Sequence, residues 1–334
     1  MKKIIYSTFA ILTLIFTTAW GTAAIYFGDS HTDNIQTSLA ICFGIFGVIS
    51  ILSFFSPTWR YRLITWHSSL FLVILFWWLN IEPSNDRLWQ TDVQKTSYAT
   101  FQDNLVTVHN IRNFDYISEF DYKPAYYTKT FDLNKLEGVD LFAVYWMGPA
   151  IAHTMLSFNF GPGNHLAVSI EARKEQNEGY STIKGFFRQF ELIYIVADER
   201  DIIRLRTNYR KNPVEEVYLY PLKGSQEGAK RLFLEYFKDI NQLNQKPAFY
   251  NTLIENCTTT IWMHASVNPD RVPFSWKILL SGYVPEYLYE HGRIHQELPF
   301  AELQELAHIN NLAHQADQSE NFSERIRMTS KTAH

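Results

Sequence analysis

Cysteine is scarce in this 334-residue sequence, which contains only two. Neither cysteine forms part of a paired-cysteine motif, and the histidines form no HExxH sequence, so the pattern predicts no metal site. A glycine-rich phosphate-binding loop is also missing, and no other motif calls for a cofactor. The net charge of −4 offers no excess of basic residues for nucleic acid. We therefore expect no metal, no cofactor and no nucleic-acid partner.

Three long apolar runs near the N-terminus are the first positive feature of the sequence. They cover about residues 4–27, 35–55 and 63–81, and a helix needs about 20 apolar residues to cross a bilayer core. Lys2 and Lys3 precede the first run, as in a signal peptide. However, this run is longer than the roughly 7–15 apolar residues of a signal peptide, and two further runs follow it. We therefore predict an uncleaved membrane region of three helices within residues 1–90.

The basic residues around these runs predict the orientation of the chain. Lys2 and Lys3 precede the first run, and Arg60 and Arg62 lie between the second and third, whereas residues 28–34 contain no Lys or Arg. Cytoplasmic loops collect positive charge, so the N-terminus is expected inside and the chain after residue 81 outside. Cys42 then lies within the membrane. Cys257 is left as a single thiol outside, without an intramolecular disulfide partner.

Residues 91–300 read as one α+β domain, without an internal repeat or a low-complexity linker. Residues 226–243 have apolar side chains at helical spacing, which predicts a helix packed on a sheet. Residues 301–334 are interpreted as a C-terminal helix and a polar tail. The sequence also contains Arg200, Arg204, Arg206 and Arg210, which we expect on a solvated or salt-bridged strand face, with contact to a phosphate head group as the alternative. The strands of the sheet are predicted from short β-rich runs at 139–146, 151–160, 165–171, 190–197 and 216–221.

The stretch LIENCTTTIW, residues 253–262, places Cys257 at the predicted start of a helix that runs to about Ala265. Asn256 is a suitable N-cap, and the positive end of the helix dipole favours a thiolate in the first turn. Cysteines at such positions have a lowered pKa and high reactivity. Cys257 is therefore a candidate nucleophile, with Asn256 and Thr258 supporting an oxyanion. The alternative is an inert thiol buried as a small apolar side chain.

A nucleophilic thiol needs an imidazole base, and His153 and His165 flank a predicted hairpin. Pairing Leu156 with Ile170, and Phe158 with Val168, places the apolar side chains on one face. In that register Glu171 lies diagonally across from His153, at about 7–8 Å between backbones. His165 lies at the hairpin tip, about 20 Å from His153. We therefore predict His153 as the base and Glu171 as its orienting partner, with His165 as the alternative base.

The segments AHTMLSF (152–158) and NCTTTI (256–261), together with SIEARKE (169–175) and ADERDIIRLRTNYR (197–210), resemble the N-terminal periplasmic domain of Lnb-type lipoprotein N-acyltransferases of Gram-negative bacteria. This resemblance spans roughly residues 140–290. It implies a permuted papain-like domain of the NlpC type, with an antiparallel sheet packed on helices and the histidine strand before the cysteine helix. Together with the three predicted helices and their orientation, the resemblance implies a multi-pass protein of the inner membrane with its soluble domain in the periplasm.

The residues and the resemblance together indicate a membrane-anchored thiol acyltransferase. Cys257 would take an acyl group from a phospholipid or lipoprotein ester as a thioester and pass it to an amine or to water. Two alternatives stay open, a peptidoglycan amidase or endopeptidase and a non-catalytic membrane scaffold. Residues 271–292 are interpreted either as an interfacial surface that admits an acyl chain or as ordinary core.

Overall fold

The computed structural model describes residues 2–28 and 34–328. It divides into two compact units. The first comprises Met1–Arg87, Asn177–Glu191 and Ala248–Thr252, and the second comprises Leu88–Gln176, Leu192–Pro247 and Leu253–His334. Most of the lysine- and arginine-free connection at 28–34, and residues 329–334 of the predicted polar tail, lie outside the described residues.

Three helices of the first unit are long and apolar enough to cross a membrane. They are α1 (Lys2–Phe27), α2 (Asn34–Leu52) and α3 (Pro57–Leu79). The third begins six residues before its predicted start, because Pro57 occupies the first helical turn, where its fixed φ suits a helix. The apolar pattern alone could not reveal this start, since Arg60 and Arg62 fall within the first two turns.

Small and polar residues hold the first unit together. A Cβ atom on Gly47 of α2 would lie 2.2 Å from Cγ2 of Thr18 in α1, so glycine permits the close approach of the two helices at this point. At the end of α3, Nη1 of Arg188 donates hydrogen bonds to the carbonyl groups of Trp78, Leu79 and Ile81. A cation at a helix C-terminus complements the helix dipole, so Arg188 fixes the end of this helix.

The second unit is built on an eight-stranded sheet with the order β1-β2-β9-β8-β7-β6-β10, in which β5 also pairs with β2. The pairing is antiparallel for most neighbours, and β2 and β9 run parallel. All five predicted strands are present, as β6–β10, whereas the strands before residue 133 were not predicted. The strands are β1 (Tyr98–Gln102), β2 (Leu105–Arg112), β3 (Asp115–Tyr116), β4 (Tyr122–Lys123), β5 (Tyr126–Asp132), β6 (Gly138–Tyr145), β7 (Ala152–Asn159), β8 (His165–Arg173), β9 (Glu191–Ala197) and β10 (Glu216–Pro221).

Helices cover both faces of this sheet, because the strand side chains alternate between two apolar clusters. Leu156 and Phe158 of β7 pack with the long amphipathic helix α5, whereas Met155 faces the second cluster, with α4 and α10. The mixed α+β architecture that the sequence predicts is therefore confirmed. The helices of this unit are α4 (Glu199–Arg204), α5 (Gln226–Gln245), α6 (Cys257–His264), α7 (Trp276–Leu279), α8 (Val284–Glu290), α9 (Phe300–Ala307), α10 (Asn310–Gln315) and α11 (Phe322–Arg325).

The predicted register of the β7–β8 hairpin is wrong by two residues. Leu156 pairs with Val168, not with Ile170, and Phe158 pairs with Leu166. A shift of two residues keeps every side chain on its predicted face, so the apolar pattern could not detect it. The turn decides the register, since Gly161 and Gly163 adopt φ values of +93° and +69° that favour glycine.

Two charged segments differ from their predicted structure. Arg204 ends α4 and Arg206 lies in the π-helical turn Leu205–Tyr209, so neither lies on a strand. Both are buried, and both form ion pairs with carboxylates. In the predicted polar tail, Phe322 and Ile326 are buried, and Arg327 reaches Asp140 and Glu199. The described part of the tail is therefore packed against the domain.

Candidate active site

The nucleophile candidate Cys257 is the first residue of α6, as the sequence predicts. Oδ1 of Asn256 accepts hydrogen bonds from the backbone N–H groups of Thr258 (2.9 Å) and Thr259 (3.0 Å). Thr259 Oγ1 in turn accepts from the N–H of Asn256, which completes a capping box. The cap fixes the first turn, and with it the position of the half-buried Cys257 side chain.

His153 of β7 lies within hydrogen-bonding reach of the Cys257 thiol. Its Nε2 atom is 2.7 Å from Oγ of Ser169 and 3.2 Å from Oε1 of Glu171. The Ser169 hydroxyl donates its only proton to Glu171 at 2.7 Å, so it must accept one from His153. Nε2 therefore carries a proton, which leaves Nδ1 as the ring nitrogen available to the thiol.

Glu171 is held in place by Arg206, a buried arginine that the sequence analysis placed on a strand face and not in the site. Nη2 of Arg206 donates to Oε1 of Glu171 at 2.8 Å, while Nη1 lies 3.3 Å from Oε2 of Glu215. Arg206 is buried and lies in the π-helical turn, a geometry that is common at functional sites. The carboxylate that orients His153 is thus itself fixed by a second ion pair.

The electrostatics of the site favour a charged thiolate–imidazolium pair. Burial disfavours the imidazolium, but the Glu171 carboxylate outweighs this and raises the pKa of His153 to about 9. Burial also disfavours the thiolate, but His153 outweighs this and lowers the pKa of Cys257 to about 7. Glu171 is buried too, yet His153 and Arg206 hold its pKa well below the usual range. Between pH 7 and 9 the sulfur is therefore ionised and the imidazole protonated.

Two threonines also contact the sulfur. The backbone of Thr154 hydrogen-bonds to the Cys257 sulfur, and Thr258 Oγ1 lies 3.7 Å from it. The hydroxyl groups of Thr154 and Thr258 are 2.9 Å apart. Because Asn256 occupies the N–H groups of Thr258 and Thr259, the N–H of Cys257 itself is the first-turn donor available to an oxyanion. The predicted support of Asn256 is thus indirect, through the helix cap.

His165, the alternative base, is not part of this arrangement. It pairs with Asn159 at the far end of the β7–β8 hairpin, where the predicted tip lies. Neither ring nitrogen of His165 has a hydrogen-bond partner among the described residues. Burial lowers its pKa, and the charges that act on it include those of Glu199, Arg327 and Asp140, none of them a residue of the candidate site. The structure therefore separates His165 from Cys257 and brings His153 to it.

Segment 271–292, predicted either as an interfacial surface or as core, contains both buried and exposed apolar residues. Ile278, Val284 and Tyr287 are buried, whereas Phe274 and Trp276 are each 56% exposed. One side of this segment is core, and the other presents exposed apolar residues.

Within residues 2–28 and 34–328, no group of three or more His, Cys, Asp or Glu side chains is arranged to hold a metal ion.

The family comparison agrees with the resemblance seen in the sequence. Residues 122–282 match the model of the Lnb N-terminal periplasmic domain, and this match includes His153, Glu171 and Cys257. It spans slightly less than half of the chain and shows that this segment is similar to that domain. No curated protein and no solved structure matches the chain. The match and the three apolar helices indicate a membrane protein with a periplasmic domain.

The pH dependence of Cys257 alkylation should report the ion pair. Iodoacetamide reacts with the thiolate, so the alkylation rate of the Cys257 peptide is expected to rise with pH and reach half its maximum near pH 7. In His153→Ala the midpoint should move upward, because the imidazolium is lost while burial of the sulfur remains. Peptide-resolved mass spectrometry separates this signal from that of Cys42.

His308→Ala is the matched control, because His308 pairs with Glu216 and not with the site residues. Its midpoint should equal that of the unmodified protein. Equal midpoints in the unmodified protein and in His153→Ala would show that His153 does not ionise the sulfur.

Proposed function

We propose that this protein is a thiol-dependent acyltransferase of the bacterial inner membrane, with its catalytic domain in the periplasm. Cys257 carries the acyl group as a thioester, and the substrates are a phospholipid or lipoprotein ester and an amine. The observation that supports this most strongly is the Cys257–His153–Glu171 arrangement at a capped helix start. The order of the histidine strand and the cysteine helix also fits a permuted papain-like fold of the NlpC type.

The first half-reaction acylates the enzyme. The Cys257 thiolate attacks the ester carbonyl carbon and forms a C–S bond, and the resulting oxyanion is stabilised by the N–H of Cys257. As the C–O bond breaks, the His153 imidazolium gives its Nδ1 proton to the leaving alkoxide. The products are a thioester on Cys257, a free alcohol such as a lysophospholipid, and neutral His153.

The second half-reaction transfers the acyl group. An amine attacks the thioester carbonyl carbon while neutral His153 takes up its proton at Nδ1. The C–S bond then breaks, and an amide and the original thiolate–imidazolium pair result. Glu171 and Ser169 keep the Nε2 proton in place throughout, which holds the ring in the same orientation for both steps.

Reconstitution of the full chain in phospholipid vesicles tests this function. With a lipopeptide that has a free N-terminal amine, we expect lysophospholipid and N-acylated lipopeptide in equal amounts, detected by mass spectrometry. Cys42→Ser should retain this activity, because Cys42 lies in α2 and outside the site.

A parallel incubation with peptidoglycan peptides separates the alternatives. Cleavage of these peptides without acyl transfer would identify an amidase or endopeptidase instead. Absence of both reactions would favour a non-catalytic scaffold and contradict the proposal.

A further inference from the structure

The guanidinium that fixes Glu171 belongs to Arg206, which lies in the π-helical turn Leu205–Tyr209. Within this turn the N–H of Arg210 donates to the carbonyl of Leu205 at 3.0 Å. A π-helical turn is a rare backbone conformation, so it depends on contacts from the surrounding structure. The contacts that hold this turn therefore determine where the Arg206 guanidinium lies.

Asp317, in the C-terminal segment, contacts the chain on both sides of Arg206. Its carboxylate accepts hydrogen bonds from Nδ2 of Asn208 at 2.6 Å and from the Tyr209 hydroxyl at 3.1 Å, one at each oxygen. Its backbone carbonyl accepts a third hydrogen bond, from Nη1 of Arg204 at 2.9 Å. Asp317 thus joins the residue two positions before Arg206 to the residues two and three positions after it.

Two neighbours of Asp317 extend this attachment. Nε2 of His314 donates to the carbonyl of Thr207 at 2.8 Å, and the carbonyl of Ala313 accepts a hydrogen bond from Asn208 at 3.2 Å. Asn208 and Asp317 are half-buried, so water competes less for these bonds than at an exposed surface. The attachment joins two parts of the chain that are 105 to 113 residues apart.

The attached turn leads to His153 through two charged contacts. Arg206 holds Oε1 of Glu171 at 2.8 Å, and the same oxygen lies 3.2 Å from Nε2 of His153. Burial opposes the imidazolium, the Glu171 carboxylate raises the pKa of His153, and the Arg206 cation lowers it by less. A displacement of both charges together therefore removes net stabilisation from the imidazolium. The charged groups around this network also include Glu215, Arg210 and the Cys257 thiolate.

We propose that Asp317 is a positioning residue of the candidate site, and that it acts by fixing the turn that carries Arg206. Arg206 then keeps Glu171 against His153 in the orientation that both half-reactions use. This inference rests on the Cys257–His153 pair of the function proposed above and adds a distant residue that sets its ionisation. Because the effect of Asp317 passes through Glu171, it should vanish when Glu171 is replaced.

The pH midpoint of Cys257 alkylation by iodoacetamide tests this inference in the full chain. In Asp317→Ala the midpoint should move upward by about 0.5 pH unit or more, because the imidazolium that ionises the sulfur is less stabilised. Asp317→Asn should keep the midpoint of the unmodified protein, since an amide offers an acceptor to Asn208 and a donor to the Tyr209 hydroxyl. Glu320→Ala is the matched control, because Glu320 is an exposed carboxylate of the same C-terminal segment.

A double variant separates positioning from a general loss of stability. Glu171→Gln alone should also raise the midpoint, and adding Asp317→Ala to it should cause no further shift. An additive shift in the double variant, or an unchanged midpoint in Asp317→Ala, would overturn the inference.

Thermal unfolding of each variant confirms that the midpoint is measured on folded protein. If Asp317→Ala does not fold, Asn208→Ala takes its place, because it removes the hydrogen bonds to Asp317 and Ala313 and leaves the Asp317 carboxylate intact. Its midpoint should also rise, and an unchanged midpoint in this variant would equally overturn the inference.

The outcomes separate this inference from the proposed function. Alkylation needs only an ionised sulfur, so the midpoint can be measured whether or not the protein transfers acyl groups. A raised midpoint in Asp317→Ala, with no acyl transfer by the unmodified protein, would support the inference and count against the function. An unchanged midpoint in Asp317→Ala, with acyl transfer by the unmodified protein, would overturn the inference and leave the function standing.

Discussion

The Cys257→Ala protein is expected to lose acyl transfer by about 10⁴-fold or more, because no other side chain in the site can form the thioester. Among the described residues, Cys257 is the thiol at the N-terminus of α6, and Cys42 lies in an apolar helix of the other unit. Initial rates of N-acyl lipopeptide formation in reconstituted vesicles measure this loss. The fold should be unaffected, since the replaced side chain is half-buried and small.

Variants of the histidine and its carboxylate should give graded losses. His153→Ala removes both the base and the cation that ionises the sulfur, so a rate loss of about 10²–10⁴-fold is expected. The unmodified protein should show a bell-shaped pH profile. Activity rises through about pH 7 as Cys257 ionises and falls through about pH 9 as His153 loses its proton.

In Glu171→Gln the alkaline limb of the pH–rate profile should move to lower pH, because the carboxylate of Glu171 raises the pKa of His153. A purely structural role of Glu171 would lower the rate without moving that limb.

Retention of more than about a tenth of the activity in Cys257→Ala would contradict the thioester mechanism outright.

Replacing Arg327 with alanine should strongly destabilise the domain. Its guanidinium lies 2.7 Å from Oδ2 of Asp140 and 2.6 Å from Oε1 of Glu199, and both carboxylates are buried. Loss of one partner from a buried ionic cluster costs about 3–5 kcal/mol, because uncompensated charge remains inside. For a domain of this size the melting temperature should fall by about 6–20 °C.

The loss of folding stability in Arg327→Ala should be smaller at acidic pH than at alkaline pH. Burial disfavours ionisation of Glu199, but Arg327 outweighs it and lowers the pKa of Glu199 to about 2 in the folded protein. This stabilisation is present above the unfolded pKa and is lost only as pH falls through about 2. Without Arg327, burial raises the pKa of Glu199. Glu199 then takes up a proton at mildly acidic pH, which removes the uncompensated charge and restores part of the lost stability. The difference in melting temperature should therefore be smaller at pH 5 than at pH 8.

Arg325→Ala is the matched control, because Arg325 lies on the same segment and hydrogen-bonds to Ser319. We expect Arg325→Ala to lower the free energy of unfolding by less than about 1 kcal/mol. Equal melting temperatures for the two variants would show that the Arg327 cluster does not stabilise the domain.

Apolar pattern and strand propensity predicted the membrane helices and the strands β6–β10, because both signals are local. They could not distinguish pairings of β7 and β8 that differ by two residues, since such pairings bury the same face. The segment with Arg204 and Arg206 was misassigned for a related reason. Its charges suggested a solvated or salt-bridged strand face. The ion pairs are present, but each arginine lies in a helical turn and is buried with a carboxylate from a distant part of the chain.

The site was predictable where its chemistry is encoded by neighbouring residues. The N-cap of Asn256 and the position of Cys257 follow from one short stretch, and alternation places His153, Ser169 and Glu171 on one face. In the observed register residue 171 lies directly opposite residue 153, which is closer than the predicted diagonal. Arg206 and Thr154 could not be found in this way, because their roles depend on a π-helical turn and on the packing of α6.

The most direct test of the thioester account is the mass of the Cys257 peptide isolated from native membranes. We predict a fraction of this peptide with an added fatty acyl group that hydroxylamine removes, and no such fraction in the His153→Ala protein. An unmodified Cys257 peptide in actively growing cells, alongside full acyl transfer in reconstituted vesicles, would contradict a covalent role for this sulfur.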